Sequence, residues 1–294
     1  MPTNKLKNQL QLHFIVFIWG FTAILGALIS ITAIPLVWFR VLLAAGSLFV
    51  IFKWKKISFR VGKEGLVRFF IGGVIIAIHW VTFFHAIKIS NVSTTLVTMS
   101  TAAIFVAFFD PLINSRKILK AEIVLAGIAM IGFFIIFNVN QNYLAGILSA
   151  LVSAILIAFF SIFNARNIQK YEAPQIAFYE LLFANIFLGL VLLVKGDFSL
   201  DFFQLSMNDW LYLIFLGTIC TAYPFVVSTS LLKKMSPFTI VLTTNLEPVY
   251  GILLAILIFG DKEKMEFSFY IGAFLILTAV IINALYLAKR SNRL

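Results

Sequence analysis

Among the ionisable side chains inside long apolar runs, where a charge is expensive to place, are Arg40, His79, Glu180 and Glu247. Glu247 lies beside Pro248 in the string Thr243–Tyr250, within an apolar run from Pro237 to about Phe259. Measured from Pro237 at ~1.5 Å per helical residue, its carboxyl lies ~15 Å into a ~30 Å hydrocarbon core. A carboxylate at that depth costs on the order of 2.5–3.5 kcal/mol, so it should face protein or water. There it could exchange a proton or pair with a substrate ammonium group. A structural role competes, because Glu247 could satisfy backbone groups freed where Pro248 withholds the amide that would reach the Thr244 carbonyl.

His79, next to Trp80 near the middle of another run, offers a proton partner or a ligand donor, or a satisfied histidine between helices. Thr94, Thr98 and Thr101 share one helical face, as do Thr239, Thr243, Glu247 and Tyr250. Together with Asn245 they sketch a polar path whose halves meet near Thr101 and Glu247. Hydroxyls in such runs also permit close packing and bond back to their own backbone. Trp19, Trp80, Tyr223 and Tyr250 could wall a cavity for a flat or apolar group, although most aromatics must pack or face lipid in a chain with 33 Phe. The candidate substrate-binding set is therefore Trp19, His79, Trp80, Thr98, Thr101, Tyr223, Asn245, Glu247 and Tyr250, with Glu247 and His79 also candidates for proton coupling. Arg40, shortly past Pro35, and Glu180, shortly past Pro174, would lie near opposite mouths, either recognising charge there or, for Arg40, snorkelling to the headgroups.

These residues need helices in lipid to position them. The chain of 294 residues is 62% hydrophobic and 12% charged, against about 25% charged in a typical soluble domain. Its charges sit between apolar runs of about twenty residues, the length that crosses a bilayer. Ten runs qualify: 12–31, 35–52, 67–87, 91–113, 121–137, 143–164, 175–194, 209–232, 237–260 and 268–288. The first resembles a signal peptide in its basic flank, but it is longer than an h-region and has no small-residue cleavage site. Loops are short, so chemistry must happen within the membrane.

Of the 23 Lys and Arg, 18 fall on alternate loops and termini, 4 on the other set, and Arg40 within a run. That bias puts both termini in the cytoplasm and reads the +11 charge as a membrane signal, excluding nucleic acid as a partner. The expected location is a bacterial-type cytoplasmic membrane. The single Cys220 excludes a disulfide framework and a cysteine-based zinc site. No metal or cofactor is expected.

A shift of 145 aligns 66–127 with 211–272 without gaps, pairing Gly72 with Gly217, Thr98 with Thr243 and Gly127 with Gly272. A shift of 139 pairs Pro35 with Pro174 and Phe39 with Phe178. Both relate the first five runs to the last five. Because five is odd, the second set enters the membrane inverted, as in transporters whose repeat interface holds the substrate. The fold expected is all-α and integral to the membrane: ten helices as two inverted five-helix repeats, 1–137 and 138–294.

Trp19-Gly20, Arg40, the string Leu246–Val249 and the exit Phe259-Gly260-Asp261 carry a further pattern, which resembles the EamA-type branch of the drug/metabolite transporter superfamily. The resemblance covers essentially the whole chain. It implies two inverted repeats, a central cavity and alternating access for small metabolites such as amino acids, with relatives that carry sugars, nucleotide sugars or vitamins. The first repeat departs from the pattern, having Ala102-Ala103 where the second has Glu247-Pro248.

Phosphate-binding glycine loops, HExxH and GxSxG are absent. The expectation is a secondary transporter, not an enzyme, for a small neutral or zwitterionic, amino-acid-like metabolite, with protons as one candidate coupling ion. The competing readings are a same-fold carrier of sugars, nucleosides, vitamins or drugs, and a polytopic membrane enzyme acting on lipid-linked substrates. Monomer and homodimer both stay open.

Overall fold

The computed structural model describes residues 2–115, 124, 125, 127, 128, 131, 132, 134, 135, 143–244, 246–263 and 265–291. Among them every regular element is helical. In chain order these are α1 (Pro2–Leu28), α2 (Ala33–Trp54), α3 (Lys63–Ile89), α4 (Val92–Met99) and α5 (Ala102–Ile113). There follow α6 (Leu144–Asn167), α7 (Ala173–Lys195), α8 (Met207–Gly217), α9 (Tyr223–Leu231), α10 (Pro237–Thr244), α11 (Glu247–Phe259) and α12 (Phe267–Ser291).

Seven helical stretches are long and apolar enough to cross a membrane, counting α4 with α5 and α8 with α9 as one each. They coincide with the runs expected at 12–31, 35–52, 67–87, 91–113, 143–164, 175–194 and 209–232. The run 237–260 is divided between α10 and α11, and 268–288 lies within α12. The run 121–137 falls largely outside the described residues. α1 and α3 begin well before their apolar runs, since a helix can continue into water once its apolar part is fixed.

Local chemistry sets the boundaries. Asn91 caps α4 by accepting from the Thr94 amide at 2.8 Å, and Ser206 caps α8 by accepting from the Asp209 amide at 3.1 Å. α7 ends at Gly196, whose φ of 72° is the left-handed conformation glycine adopts most readily.

Two interruptions matter for the site. Between α4 and α5, the hydroxyl of Ser100 donates to the Val97 carbonyl at 2.6 Å and that of Thr101 to the Thr98 carbonyl at 2.7 Å. These bonds tighten the turn without a proline. Between α10 and α11, the Leu246 amide reaches back three residues to Thr243 at 3.0 Å, and Pro248 stands in the first turn of α11. Proline there is compatible with a helix start, because the missing amide would have had no intrahelical partner. Val92 and Pro237, Met99 and Thr244, and Ala102 and Glu247 are each 145 residues apart, so both interruptions fall at the register of the sequence repeat.

The helices before residue 115 pack chiefly on those after 143. α3 lies along α6 and α7, α2 along α7 and α8, and α1 along α11. One apolar cluster joins α1, α2, α3, α7, α8 and α9, and a second joins α5, α6, α10 and α12. A third, smaller cluster joins the start of α1 to α9 and α10.

Candidate functional site

Where these clusters abut lies a partly open cavity of about 150 Å³. Its walls come from α1, α2, α3, α4, α6, α9, α10 and α11. An apolar space of roughly that size accommodates a benzene-sized solute. The lining is mainly aromatic and aliphatic, including Trp19, Trp80, Phe83, Phe160 and Phe225, with few polar groups among them.

Arg40 is the largest of these polar groups and is 1% exposed. A π-helical turn over Thr218–Ala222 shifts the register between α8 and α9. Within it, the Thr221 hydroxyl donates to the Leu216 carbonyl at 2.6 Å and accepts from Arg40 Nε at 2.7 Å. Such turns occur often at functional sites. The guanidinium lies 4.1 Å from the centre of the Trp80 ring, leaving Nη1 without a partner. Gly217 lets α8 approach α2 this closely, since a Cβ there would stand 2.7 Å from Leu43 Cβ and 2.9 Å from the Arg40 carbonyl oxygen.

Glu247, the first residue of α11, faces the same cavity. Arg40 lines the same space from α2. Among the described residues no ion pair joins the two, and neither carboxylate oxygen of Glu247 has a hydrogen-bond partner. His79 completes the polar set. Its Nδ1 lies 3.0 Å from the Ser153 carbonyl, and the Ser153 hydroxyl donates to the His79 carbonyl at 2.8 Å. With the proton assigned to Nδ1 by that contact, Nε2 is an acceptor.

The structure thus brings together Trp19, His79, Trp80 and Glu247 from the expected set, and adds Arg40. Arg40 and Glu180, expected near the mouths, are both enclosed: Glu180 is 0% exposed and lies one hydrogen bond behind the cavity wall, through Asn164. Thr98 and Thr101 are buried off the cavity, with their hydroxyls given to carbonyls of their own chain segment. Tyr223 is 45% exposed on the outside of the bundle, edge-on to Phe14. Tyr250 packs against Phe17 and over Gly20. Asn245 lies outside the described residues. Sequence reasoning missed Thr22 on α1, Ser161 and Asn164 on α6, Thr221 in the π-helical turn, and Ser228 and Thr229 on α9. Among the described residues no cluster of His, Cys, Asp and Glu could hold a metal ion.

A guanidinium and a carboxyl with no ion pair between them on one aromatic cavity could together engage a solute that carries both charges. Its carboxylate can meet the Arg40 guanidinium, and its ammonium can meet Glu247 and His79.

Comparison with known proteins bears on what such a cavity serves. The profile of the EamA-like transporter family matches residues 10–138 and 144–285. An uncharacterized transporter of Clostridium kluyveri is 28% identical over 67% of this chain and 65% of its own length. The uncharacterized inner membrane transporter YhbE of Escherichia coli is 33% identical over 46% of this chain and 41% of its own length. The match thus spans less than two thirds of either relative. The uncharacterized transporter YoaV of Bacillus subtilis is 22% identical over 97% of this chain and 99% of its own. One crystal structure shares the fold, with a TM-score of 0.70 at 16% identity, covering 97% of this chain and 99% of that one.

Proposed function

As the chain belongs to the EamA-like transporter family, we propose that it is a secondary transporter of a small zwitterionic, amino-acid-like metabolite, moved by alternating access through the cavity. The observation that supports this reading most directly is that a basic and an acidic side chain, Arg40 and Glu247, line one cavity with no ion pair between them among the described residues. An ion buried without its counter-ion is costly, so a ligand that bridges the two relieves both. The aromatic wall takes the solute's side chain, and the cavity volume favours a small one.

In this reading the fold is ten helices in two inverted repeats, 1–137 and 138–294. The two separate family matches and the shared 145-residue register of the helix interruptions support it. The basic residues support an orientation with both termini in the cytoplasm.

Thermal unfolding of the purified protein against amino acids, sugars, nucleosides and vitamins tests the substrate class. A ligand at a hundred times its Kd adds about 2.7 kcal/mol of stability. Amino acids are expected to stabilise, their amides and N-acetyl derivatives not, and the response should vanish in Arg40→Gln and in Glu247→Gln. Stabilisation by a sugar or nucleoside that both variants retain would overturn the zwitterion reading.

A further inference from the structure

Behind the cavity wall lies a polar cluster that the binding scheme leaves unused. Asn164, Asn167 and Glu180 are all fully buried. Asn164 Nδ2 donates to Glu180 Oε2 at 2.9 Å, and Asn167 Nδ2 donates to Asn164 Oδ1 at 3.0 Å. Asn164 lines the cavity, whereas Glu180 does not. Two atoms of the cluster have no partner, Glu180 Oε1 and Asn167 Oδ1. Gly72 of α3 makes room for the carboxyl, since a Cβ there would overlap Oε1.

Among the described residues no cation bonds this acid. On α2, Arg40 is held by Thr221 and Trp80, and Lys53 lies over the rings of Phe49 and Phe59. On α3, Arg68 and Glu64 pair with each other, His79 bonds Ser153, and Lys88 bonds the Ile29 carbonyl. Neither Lys63 nor His85 on that helix bonds it. On α6, Arg166 is bound to Asn114 and the Ile113 carbonyl. Tyr179, next to Glu180 on α7, donates to the Phe59 carbonyl. α9 contributes no charged residue.

We propose that Glu180 is a proton-binding site of the transport cycle, linked to the cavity through Asn164. A carboxylate with one neutral amide donor and no counter-ion is poorly tolerated away from water. Both orphan atoms are acceptors, and a proton on the carboxyl gives Glu180 Oε1 a hydrogen. When the cavity opens and fills with water, Asn164 can turn from Oε2 and admit water to the acid. The O–H bond then breaks, the proton leaves as hydronium, and the carboxylate remains hydrated. Closing the cavity reverses this. Protonation is thereby linked to which side the cavity faces, and linkage works in both directions. This proposal rests on the transporter reading, but not on the substrate class.

Infrared spectroscopy of the purified full chain near neutral pH tests the proton directly. A neutral-carboxyl carbonyl band is expected that Glu180→Gln removes, Glu180→Asp shifts and Glu247→Gln leaves in place. In D2O the band should move to its deuterated position, and more slowly in Asn164→Leu, where the link to the cavity is cut. A spectrum unchanged by Glu180→Gln, or a band abolished by added sodium, would overturn the proposal, the second by making this a cation site. In proteoliposomes, uptake of a mixture of radiolabelled amino acids driven by an imposed pH gradient should be lost in Glu180→Gln while exchange between preloaded vesicles and medium persists. Loss of both together would make Glu180 structural. If the wild type moves no amino acid, the substrate reading fails and the infrared bands still decide Glu180.

Discussion

Arg40 carries the sharpest expectation for a single side chain. Its guanidinium is held on the cavity wall by Thr221 at Nε and by the face of Trp80, and its Nη1 is buried without a partner. Lysine keeps the charge but has neither the planar fork nor the stacking surface. Arg40→Lys should therefore fold and bind an amino acid about 2 kcal/mol more weakly, roughly thirtyfold in Kd. Titration calorimetry reads this, and wild-type affinity would remove the guanidinium as the carboxylate's partner. The same residue shows what sequence could convey. Rise per residue locates a side chain along the membrane normal and puts Arg40 toward a mouth; it says nothing about which way the helix face turns, and α2 turns this one inward. Periodicity cannot supply the missing direction, because in lipid both faces of a helix are apolar. Trp19, His79, Trp80 and Glu247 stood out because their side chains are large or ionisable in an apolar run. Asn164 and Thr221 did not, since an isolated amide or hydroxyl in such a run is ordinary, and Thr98 and Thr101 misled because their hydroxyls are used within their own segment.

At the level of elements, apolar length and short loops were enough to locate seven membrane-crossing stretches. They did not show the interruptions. Nothing in Ser100-Thr101 marks a break until the hydroxyls are seen bonding back to carbonyls, and Pro248 reads as a mid-helix kink although it opens α11. The repeat register nonetheless places both breaks alike. Only the second break carries an acid, and it presents Glu247 to the cavity from the first turn of a helix. Pro248→Ala would supply an amide able to bond the Thr244 carbonyl and let α10 run on into α11. Alanine is favoured over proline by about 3 kcal/mol in a helix interior, which sets an upper bound on the gain. Thermal scans should show unfolding at the same or a higher temperature, with a smaller shift on adding amino acid because Glu247 turns from the cavity. Lower stability with an undiminished ligand response would show that the proline serves folding alone.

The two ends of the molecule are tied by different chemistry, and this bears on how the cavity could alternate. Where α1, α3 and α11 finish and α4 and α8 begin, buried carboxylates close the loops. Glu263, 5% exposed, accepts from the amides of Val92 at 3.0 Å and Ser93 at 2.9 Å, and from the Ser93 hydroxyl at 2.8 Å. Asp209 accepts from the Ser30 amide and hydroxyl, each at 2.7 Å. At the other end, where α6 and α9 finish and α7 and α10 begin, the links include exposed ion pairs, Lys233–Glu172 at 3.2 Å and Lys170–Glu64 at 3.1 Å. Exposed pairs contribute about 0–1 kcal/mol each, whereas a hydrogen bond to a charged group contributes about 1.5–3 kcal/mol. The cavity also reaches toward this second end, through Asn164, Thr229, Leu232 and Ile240. On the proposed alternating access, the bonds of Glu263 and Asp209 are the latch of a state closed at the carboxylate end, and the cycle would have to break them. Because each 1.4 kcal/mol is tenfold in a population, Glu263→Ala should shift the protein measurably toward the state open at that end. In a Cys220→Ser background, a Thr22→Cys thiol on the cavity wall would report this through reaction with a membrane-impermeant reagent applied from the carboxylate side. The rate should rise at least tenfold over the same protein with Glu263 intact. An unchanged rate together with lowered thermal stability would mean that Glu263 only caps α4, and that the latch lies elsewhere.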